Sequence, residues 1–330
     1  MFKNLVLFKI NAGWDITHQQ AIEAVESNRF TPTLPTQDKS YGWVEPRGED
    51  HADLVESIDG QLILKLMMET RAVPGGAVRK KAKEEADRIE AETGRKPGKK
   101  ETLKLREDAL LSLLPNTYPA QTSFWVWIDR ENGCVAIDAS SQGKVDDVVT
   151  ALVRAFGGMA MTQLKTALSP ATAMTQWLLG LEHGDSPENF SVDRDCELKS
   201  TDEEKSSVKF NRHNLDCEEV RNHLVQGMAP TKLALTWGGR VSFQLTEAMV
   251  LKKLSFPEGV FKNLPQDRES SFDGDVALFT GELKKLIPDL VDALGGPLAE
   301  AGGQSAADNA SEDFNDHAAH QVDTSEEATA

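Results

Sequence analysis

The strongest constraint on the fold is a hairpin-and-helix signal in the middle of the chain. Two apolar runs, residues 124–129 (FWVWID) and 134–139 (CVAIDA), flank Asn132-Gly133, a dipeptide that strongly favours a turn between paired strands. Between residues 144 and 156, apolar side chains recur at helical spacing, and Gly157-Gly158 follows as a stop. The sequence therefore predicts a β-β-α unit with antiparallel strands and one buried helix face.

Similar short signals recur along the rest of the chain. Strands are predicted at residues 4–10, 61–68, 208–210 and 249–256, a hairpin at 231–237 and 240–245, and helices at 17–28, 75–93, 100–114, 169–178, 216–226 and 275–294. Residues 32–46 and 180–206 are predicted to be long loops because proline, glycine and polar residues concentrate there. Hairpins without regular β-α-β alternation indicate an α+β fold.

The charges of the chain are segregated. The protein has 330 residues and a formal net charge of −17, which taken alone argues against a nucleic-acid partner. Yet residues 71–114 contain twelve of the 36 lysines and arginines against eight acidic residues. Residues 297–330 contain eight acidic residues and no lysine or arginine, which predicts a disordered acidic tail. Local positive potential is therefore available in spite of the net charge.

Several classes of protein are disfavoured. The chain shows no signal peptide and no apolar run that could span a membrane, and its three cysteines form no C-x-x-C pair, which indicates reduced thiols in the cytoplasm. No nucleotide-binding or hydrolase motif occurs, and His213, Cys217 and His223 match no zinc pattern. A hydrolase would need a pocket that gathers Asp129, Asp138 or His213. We therefore expect no enzyme, no cofactor and no metal site.

The basic segment predicts a helical hairpin that projects as an arm. Its first helix has few large apolar residues, whereas Leu103, Leu110, Leu113 and Leu114 fall on one face of the second and predict that this face is packed. The turn between the helices contains no acid, and its cations are candidates for phosphate contact together with one lysine of the second helix: Arg95, Lys96, Lys99, Lys100 and Lys104. The alternative is a solvated helix with i, i+4 pairs such as Lys80–Glu84.

A second basic patch lies at a predicted strand end, where Lys209, Arg212 and His213 follow one another closely. Basic side chains there could contact phosphate. Polar residues that protect an exposed edge strand are the alternative interpretation.

A set of short motifs is spread over residues 2–296: Phe2-Lys3-Asn4-Leu5, Phe30-Thr31-Pro32, Gly42-Trp43-Val44, Ser112-Leu113-Leu114-Pro115, Trp127-Ile128-Asp129, Thr231-Lys232-Leu233-Ala234-Leu235-Thr236-Trp237 and Thr280-Gly281-Glu282-Leu283. In the order and spacing of these motifs, the chain resembles the RdgC family of bacterial recombination-associated DNA-binding proteins.

This resemblance implies a horseshoe-shaped, multidomain α+β subunit with a projecting helical arm. Two subunits would form a homodimeric ring around double-stranded DNA, without sequence preference, on the nucleoid in the cytoplasm. The expected role is to restrain RecA-dependent homologous recombination, with no catalysis, cofactor or membrane. The domain division that we predict is 1–74 and 166–296 for the central and base region, 75–165 for the arm and tip, and 297–330 for the tail.

Two departures from the family pattern predict weaker DNA binding. Pro115 is followed by Asn116, Thr117 and Tyr118, where the family usually has Arg, Ala and Phe, so a cation is missing and Tyr118 occupies the aromatic position. The usual basic-basic-Gln triplet is Asn211-Arg212-His213 here. A protein-interaction scaffold whose basic arm docks an acidic partner remains the alternative function.

Overall fold

The computed structural model describes residues 2–48, 53–200, 202, 205–257 and 268–298, without the side chains of 268–271. The strands are β1 Asn4–Ile10, β2 Lys39–Val44, β3 Val55–Ile58, β4 Gln61–Thr70, β5 Ala120–Asp129, β6 Cys134–Ile137, β7 Met161–Gln163, β8 Phe190–Ser200, β9 Ser207–Phe210, β10 Met228–Trp237, β11 Val241–Thr246 and β12 Val250–Ser255. The helices are α1 His18–Glu26, α2 Gly75–Thr93, α3 Lys99–Leu113, α4 Gln142–Ala155, α5 Pro170–Gly180, α6 Glu218–Val225 and α7 Arg268–Ala293.

The twelve strands form one open sheet in the order β2-β4-β5-β6-β1-β12-β11-β10-β8-β9, and β3 and β7 pair with β4 and β1 outside this path. Every pair of named strands is antiparallel. The predicted α+β class is therefore confirmed, with hairpins as the building units.

Two hydrophobic cores lie on opposite faces of the sheet. In the central strand β1, Leu5 and Leu7 belong to the first core, whereas Val6, Phe8 and Ile10 belong to the second. This alternation follows from the two-residue period of a strand. Helices α5, α6 and α7 contribute to the first core, and α1 and α4 contribute to the second.

The β-β-α unit is confirmed, with a longer turn than the dipeptide signal implies. Asp129 pairs with Cys134, so four residues connect β5 and β6. Gly133 has a φ of 59°, and the Asp129 carboxylate accepts hydrogen bonds from the backbone N and Nδ2 of Asn132. Helix α4 follows and buries Val145, Val148, Ala151 and Leu152.

The two predicted long loops are wrong because each contains a strand. Strand β2 pairs with β4 within residues 32–46, and β8 pairs with β9 and β10 within 180–206. Strand β8 alternates polar side chains with Cys196 and Leu198, so its composition resembles that of a loop although one face is buried. The short strands β3 and β7 had no clear periodic signal.

The predicted packing of the leucine face of α3 is also wrong in part. Leu103 and Leu110 are 59% and 40% exposed, whereas Leu114 is buried. Helices α2 and α3 contact each other, and their buried side chains are Ala82 and Ala109. Because α2 offers few large apolar side chains, it cannot cover all of the α3 leucines.

The acidic tail, the subunit shape and the domain boundaries are predictions that the described residues do not test. Almost all of the acidic tail, residues 299–330, lies outside the described residues. The horseshoe shape and the domain boundaries stay predictions. None of the helices in the described ranges is long and apolar enough to cross a membrane.

Candidate functional site

The arm consists of α2 and α3, joined by a short turn. Gly94 ends α2 in the left-handed conformation with a φ of 70°, and its N–H donates to the Glu90 carbonyl at 2.8 Å. Gly98 then caps α3, where its N–H donates to the Glu101 carboxylate at 2.9 Å. These two glycines place the basic turn at the junction of the helices.

Arg95 is engaged within the arm. Its two terminal guanidinium nitrogens donate to the two carboxylate oxygens of Glu101 at 2.7 and 2.6 Å. The hydrogen bonds from Arg95 and from the Gly98 backbone lower the pKa of Glu101 to about 2. The turn contains no acid in sequence, but Glu101 folds back onto it. Of the described cations of the turn, Arg95 is therefore the one most fully engaged in an ion pair within the arm.

The lysines of the arm are more available. The Lys96 Nζ lies 3.9 Å from a Glu90 carboxylate oxygen, and its side chain is 81% exposed. Lys99, Lys100 and Lys104 are exposed, and no ion pair within the described part of the chain involves them. Lys99 and Lys100 occupy the first turn of α3, where the helix dipole disfavours cations and favours a bound anion.

Tyr118 stands at the base of the arm with its side chain 96% exposed. It lies between α3 and β5 and directly follows Thr117, whose backbone N–H donates to the Leu114 carbonyl and whose carbonyl accepts from Arg71. The Arg71 guanidinium donates to the Thr117 carbonyl at 2.7 Å and to the Thr33 hydroxyl at 2.9 Å. In the sequence, Arg71 is the first residue of the basic segment 71–114; in the structure, it fixes the segment that carries Tyr118.

A buried carboxylate supports the same segment. Glu69 is 2% exposed and accepts hydrogen bonds from the backbone N and hydroxyl of Thr33 and from Nε2 of Gln121. These hydrogen bonds, that of Gln121 foremost, lower the pKa of Glu69. Since β4 and β5 carry Glu69 and Gln121, the arm base is tied to the sheet.

The strand-end patch consists of Lys209, Arg212 and His213. Arg212 has a positive φ of 52°, and its backbone N–H donates to the Asp195 carboxylate at 2.8 Å. The backbone N–H of His213 donates to the Arg194 carbonyl at 3.0 Å, and its ring lies 5.5 Å from that of Phe210. All three patch side chains are exposed. The turn after β9 therefore presents them from a fixed backbone.

Lys209 shares an acidic partner with a lysine that the sequence did not single out. The Glu197 carboxylate lies 3.8 Å from Lys209 Nζ and 2.6 Å from Lys232 Nζ. The register of β8 with its two neighbours causes this arrangement, because Glu197 is directly opposite Lys232 of β10 and Lys209 of β9.

The structure does not bring the arm and the strand-end patch together. Tyr118 precedes β5, and the patch follows β9, seven positions away in the strand order. At about 4.8 Å per strand, the path across the sheet from β5 to β9 is roughly 34 Å.

The carboxylates considered for hydrolysis are also apart. The Asp138 backbone N–H donates to the Trp125 carbonyl, so Asp138 lies four residues along the hairpin from Asp129, about 13 Å. Asp138 accepts a hydrogen bond from the Asn4 backbone, and burial raises its pKa. His213 belongs to another part of the sheet. Among the residues that the structure describes, no group of three His, Cys, Asp or Glu could hold a metal ion.

The three cysteines are free. Burial raises the pKa of both Cys134 and Cys196 to about 12, so these thiols stay protonated at neutral pH. They are part of the first core or pack against it, and we assign them no chemistry.

Comparison with known proteins identifies the family. The family profile described as "Putative exonuclease, RdgC" matches residues 1–297. The recombination-associated protein RdgC of Dechloromonas aromatica is 39% identical over 306 residues, which cover 91% of this chain and 99% of the relative. The protein of the same name from Janthinobacterium sp. strain Marseille is 37% identical over 301 residues, 90% of this chain and 98% of the relative. The chain therefore belongs to the RdgC family.

Proposed function

We propose that this protein binds double-stranded DNA without sequence preference and restrains RecA-dependent homologous recombination on the cytoplasmic nucleoid. The observation that carries the proposal is the cluster of exposed lysines in the arm, Lys99, Lys100 and Lys104, which have no ion-pair partner among the described residues. Cations at a helix N-terminus oppose the helix dipole, and such a local conflict is typical of a functional site. A phosphate group would relieve it.

The dispersed arrangement of the cations favours a long polyanion over a small ligand. The arm lysines and the strand-end patch lie on different elements, and the path across the sheet from β5, which follows the arm, to β9 is roughly 34 Å. One turn of B-form DNA has a similar length. Contacts from lysine and arginine to phosphate fix position without reading bases, so we expect no sequence preference.

A horseshoe-shaped subunit that closes with a second copy into a ring would reconcile this partner with the acidic chain. Cations on the inner wall would contact phosphate, while the net charge of −17 would reside mainly elsewhere. Within this proposal, Arg95, Lys96, Lys99, Lys100, Lys104, Tyr118, Lys209, Arg212 and His213 form the DNA-contacting set. Arg95 contributes least because Glu101 already holds it.

The salt dependence of DNA binding tests the arm. If about six phosphates are contacted, log K should fall with log salt at a slope of roughly −5. Replacing both Lys99 and Lys100 with glutamate should weaken binding and flatten the slope by roughly 2 for each arm that contacts DNA. Fluorescence anisotropy with two unrelated duplexes over a salt series measures both quantities.

The matched control is Arg154→Glu with Lys165→Glu, which changes the net charge equally at exposed sites outside the arm and the strand-end patch. An equal loss in both double variants would indicate a general charge effect and remove the arm from the contact surface. No binding of wild-type protein at low salt would overturn DNA binding and favour the scaffold alternative.

The RecA part of the proposal has its own readout. Wild-type protein should slow RecA-promoted strand exchange when added to the duplex beforehand, and the double glutamate variant should slow it less. Equal inhibition by both proteins would show that occupation of DNA through the arm is not the cause.

We also propose that the protein does not cleave DNA, although the family description contains the word exonuclease. The supporting observations are the separation of Asp129 and Asp138 and the hydrogen bonds that engage each carboxylate. Incubation of end-labelled duplex with the protein and Mg²⁺ or Mn²⁺ should leave the label on full-length strands. Release of labelled nucleotides by wild-type protein would contradict this, provided that the activity co-purifies with the protein.

A further inference from the structure

Within the described residues, helices cover one face of the sheet over only part of its width. On the side of the second core, α1 and α4 cover strands such as β1, β4, β5 and β6. On the same side, β8 to β11 carry polar groups instead, and we call this region the open sheet face. Its cross-strand side chains include Lys232, Thr236, Ser242 and Gln244 from β10 and β11, and Glu197 and Lys199 from β8.

The charges of the open sheet face centre on Glu197. Lys232 donates to its carboxylate at 2.6 Å from one side, and Lys209 lies 3.8 Å away on the other. The hydrogen bond from Lys232, with Lys209 and Lys199 nearby, lowers the pKa of Glu197. Asp193 of β8 is a second carboxylate on this face, where it accepts a hydrogen bond from Thr236. The three lysines still outnumber the two carboxylates, so the face keeps a positive charge at neutral pH.

The two lysine side chains are more exposed to solvent than the glutamate that they contact. Lys209 and Lys232 are 61% and 39% exposed, whereas Glu197 is 21% exposed. The lysine side chains are long and can turn outward, but the shorter glutamate is held between its strand neighbours. Exposed ion pairs contribute only about 0–1 kcal/mol, so a phosphate can draw away Lys209, which is largely exposed and 3.8 Å from the carboxylate, more easily than Lys232, whose 2.6 Å hydrogen bond is partly buried. Glu197 would then remain close to that phosphate and repel it.

We infer that Lys232 is a further phosphate-binding residue that acts together with Lys209. We also infer that the Glu197 carboxylate competes with DNA phosphate for these two lysines and so limits their affinity for the DNA backbone. The inference rests on the proposed function. It adds a binding residue outside the predicted set and a carboxylate that determines how tightly this face holds DNA. Weak binding here would allow a sequence-independent protein to release or slide along its duplex.

Glu197→Gln tests the inference because glutamine keeps an oxygen acceptor for Lys232 and removes only the negative charge. We expect DNA affinity about threefold to tenfold higher than wild type at low salt. The control is Glu188→Gln, which removes one exposed charge close to the start of the same strand, and no ion pair in the described ranges involves Glu188. Thermal denaturation checks that both variants fold.

A second pair of proteins separates the local effect from net charge. In a background with Lys209→Met and Lys232→Met, Glu197→Gln should no longer increase the affinity beyond the change seen with Glu188→Gln. The double methionine variant should itself bind more weakly than wild type, with a flatter salt slope.

The outcomes distinguish this inference from the proposed function. If wild-type protein binds DNA but Glu197→Gln behaves like Glu188→Gln, the competitor role is wrong and DNA binding stands. If the gain persists without the two lysines, Lys232 and Lys209 are not the cations concerned, and the inference is likewise overturned. If wild-type protein binds no duplex at low salt, the proposed function itself fails.

Discussion

At the scale of single residues, carboxylates decide which cations are available. Glu101 holds Arg95 through two hydrogen bonds, and Glu197 lies between Lys209 and Lys232. Lys99 and Lys100 lie within one helical turn of Glu101 and are exposed. Neither forms an ion pair with a carboxylate in the described part of the chain. Counting basic residues therefore overestimates the positive surface, and the distances between charged groups correct it.

The pKa of Glu101 provides a direct test of the Arg95 contact. A pKa of about 2 lies below the value of about 4.3 expected in an unfolded chain. A lowered pKa means that the contribution of Glu101 to stability is complete above about pH 5 and is lost as the pH falls through 2. Carboxyl-detected NMR titration should show Glu101 still ionised at pH 3.

Arg95→Met is the matched variant for that titration, because it removes the guanidinium and keeps an unbranched side chain. The Glu101 pKa should rise toward its ordinary value, although the Gly98 hydrogen bond keeps it somewhat low. A wild-type value near 4.3 would mean that the two groups do not pair in solution.

At the scale of elements, the edge strand β2 shows how a segment with weak local signals becomes ordered. The Phe30 N–H donates to the Trp43 carbonyl and the Trp43 N–H donates to the Asn28 carbonyl, both at 2.9 Å. Residues 28–30 thus run along β2 and cover its edge, which limits pairing with other chains. Gly42 permits this approach, because a Cβ there would lie 2.4 Å from the Phe30 Cα.

Gly42→Ala should therefore lower the free energy of unfolding by about 3 kcal/mol, at the upper end of the usual cost of overpacking, because the conflict is with backbone atoms. Chemical denaturation followed by tryptophan fluorescence measures the change, since Trp43 is fully buried.

The control substitution is Gly143→Ala. A Cβ at that position of α4 meets nothing within 4 Å, so the higher helix propensity of alanine should stabilise the protein by up to about 1 kcal/mol. A similar change in both variants would mean that the close approach at Gly42 is absent in solution.

Elements with strong local signals were predictable, and those ordered by neighbours were not. The helices predicted at residues 17–28, 75–93 and 169–178 are all present, and local features delimit them: a capping box at Thr17, left-handed Gly94 after the second and the Ser169 cap before the third. Strand β8 was missed because its polar residues face the open side of the sheet while Cys196 and Leu198 are buried. Only pairing with β9 and β10 reveals that pattern.

At the scale of the whole molecule, the proposed ring makes a stoichiometric prediction. Sedimentation velocity should give a mass of two chains without DNA, and a short duplex should join as one molecule per two chains. The reason is that a closed ring has a single central passage for a duplex. A monomer that binds one duplex alone would contradict the ring while leaving DNA binding intact.

The sequence by itself determined the α+β class, the hairpins, the caps of several helices and the location of the basic arm, because these depend on neighbouring residues. The family was also readable from motifs spread over the chain. Tertiary structure decided which cations are free, because partners such as Glu101 for Arg95 and Glu197 for Lys232 depend on side-chain geometry and strand register. It also decided that β2 and β8 are strands and that Arg71 supports the Tyr118 segment, since those contacts join residues distant in sequence.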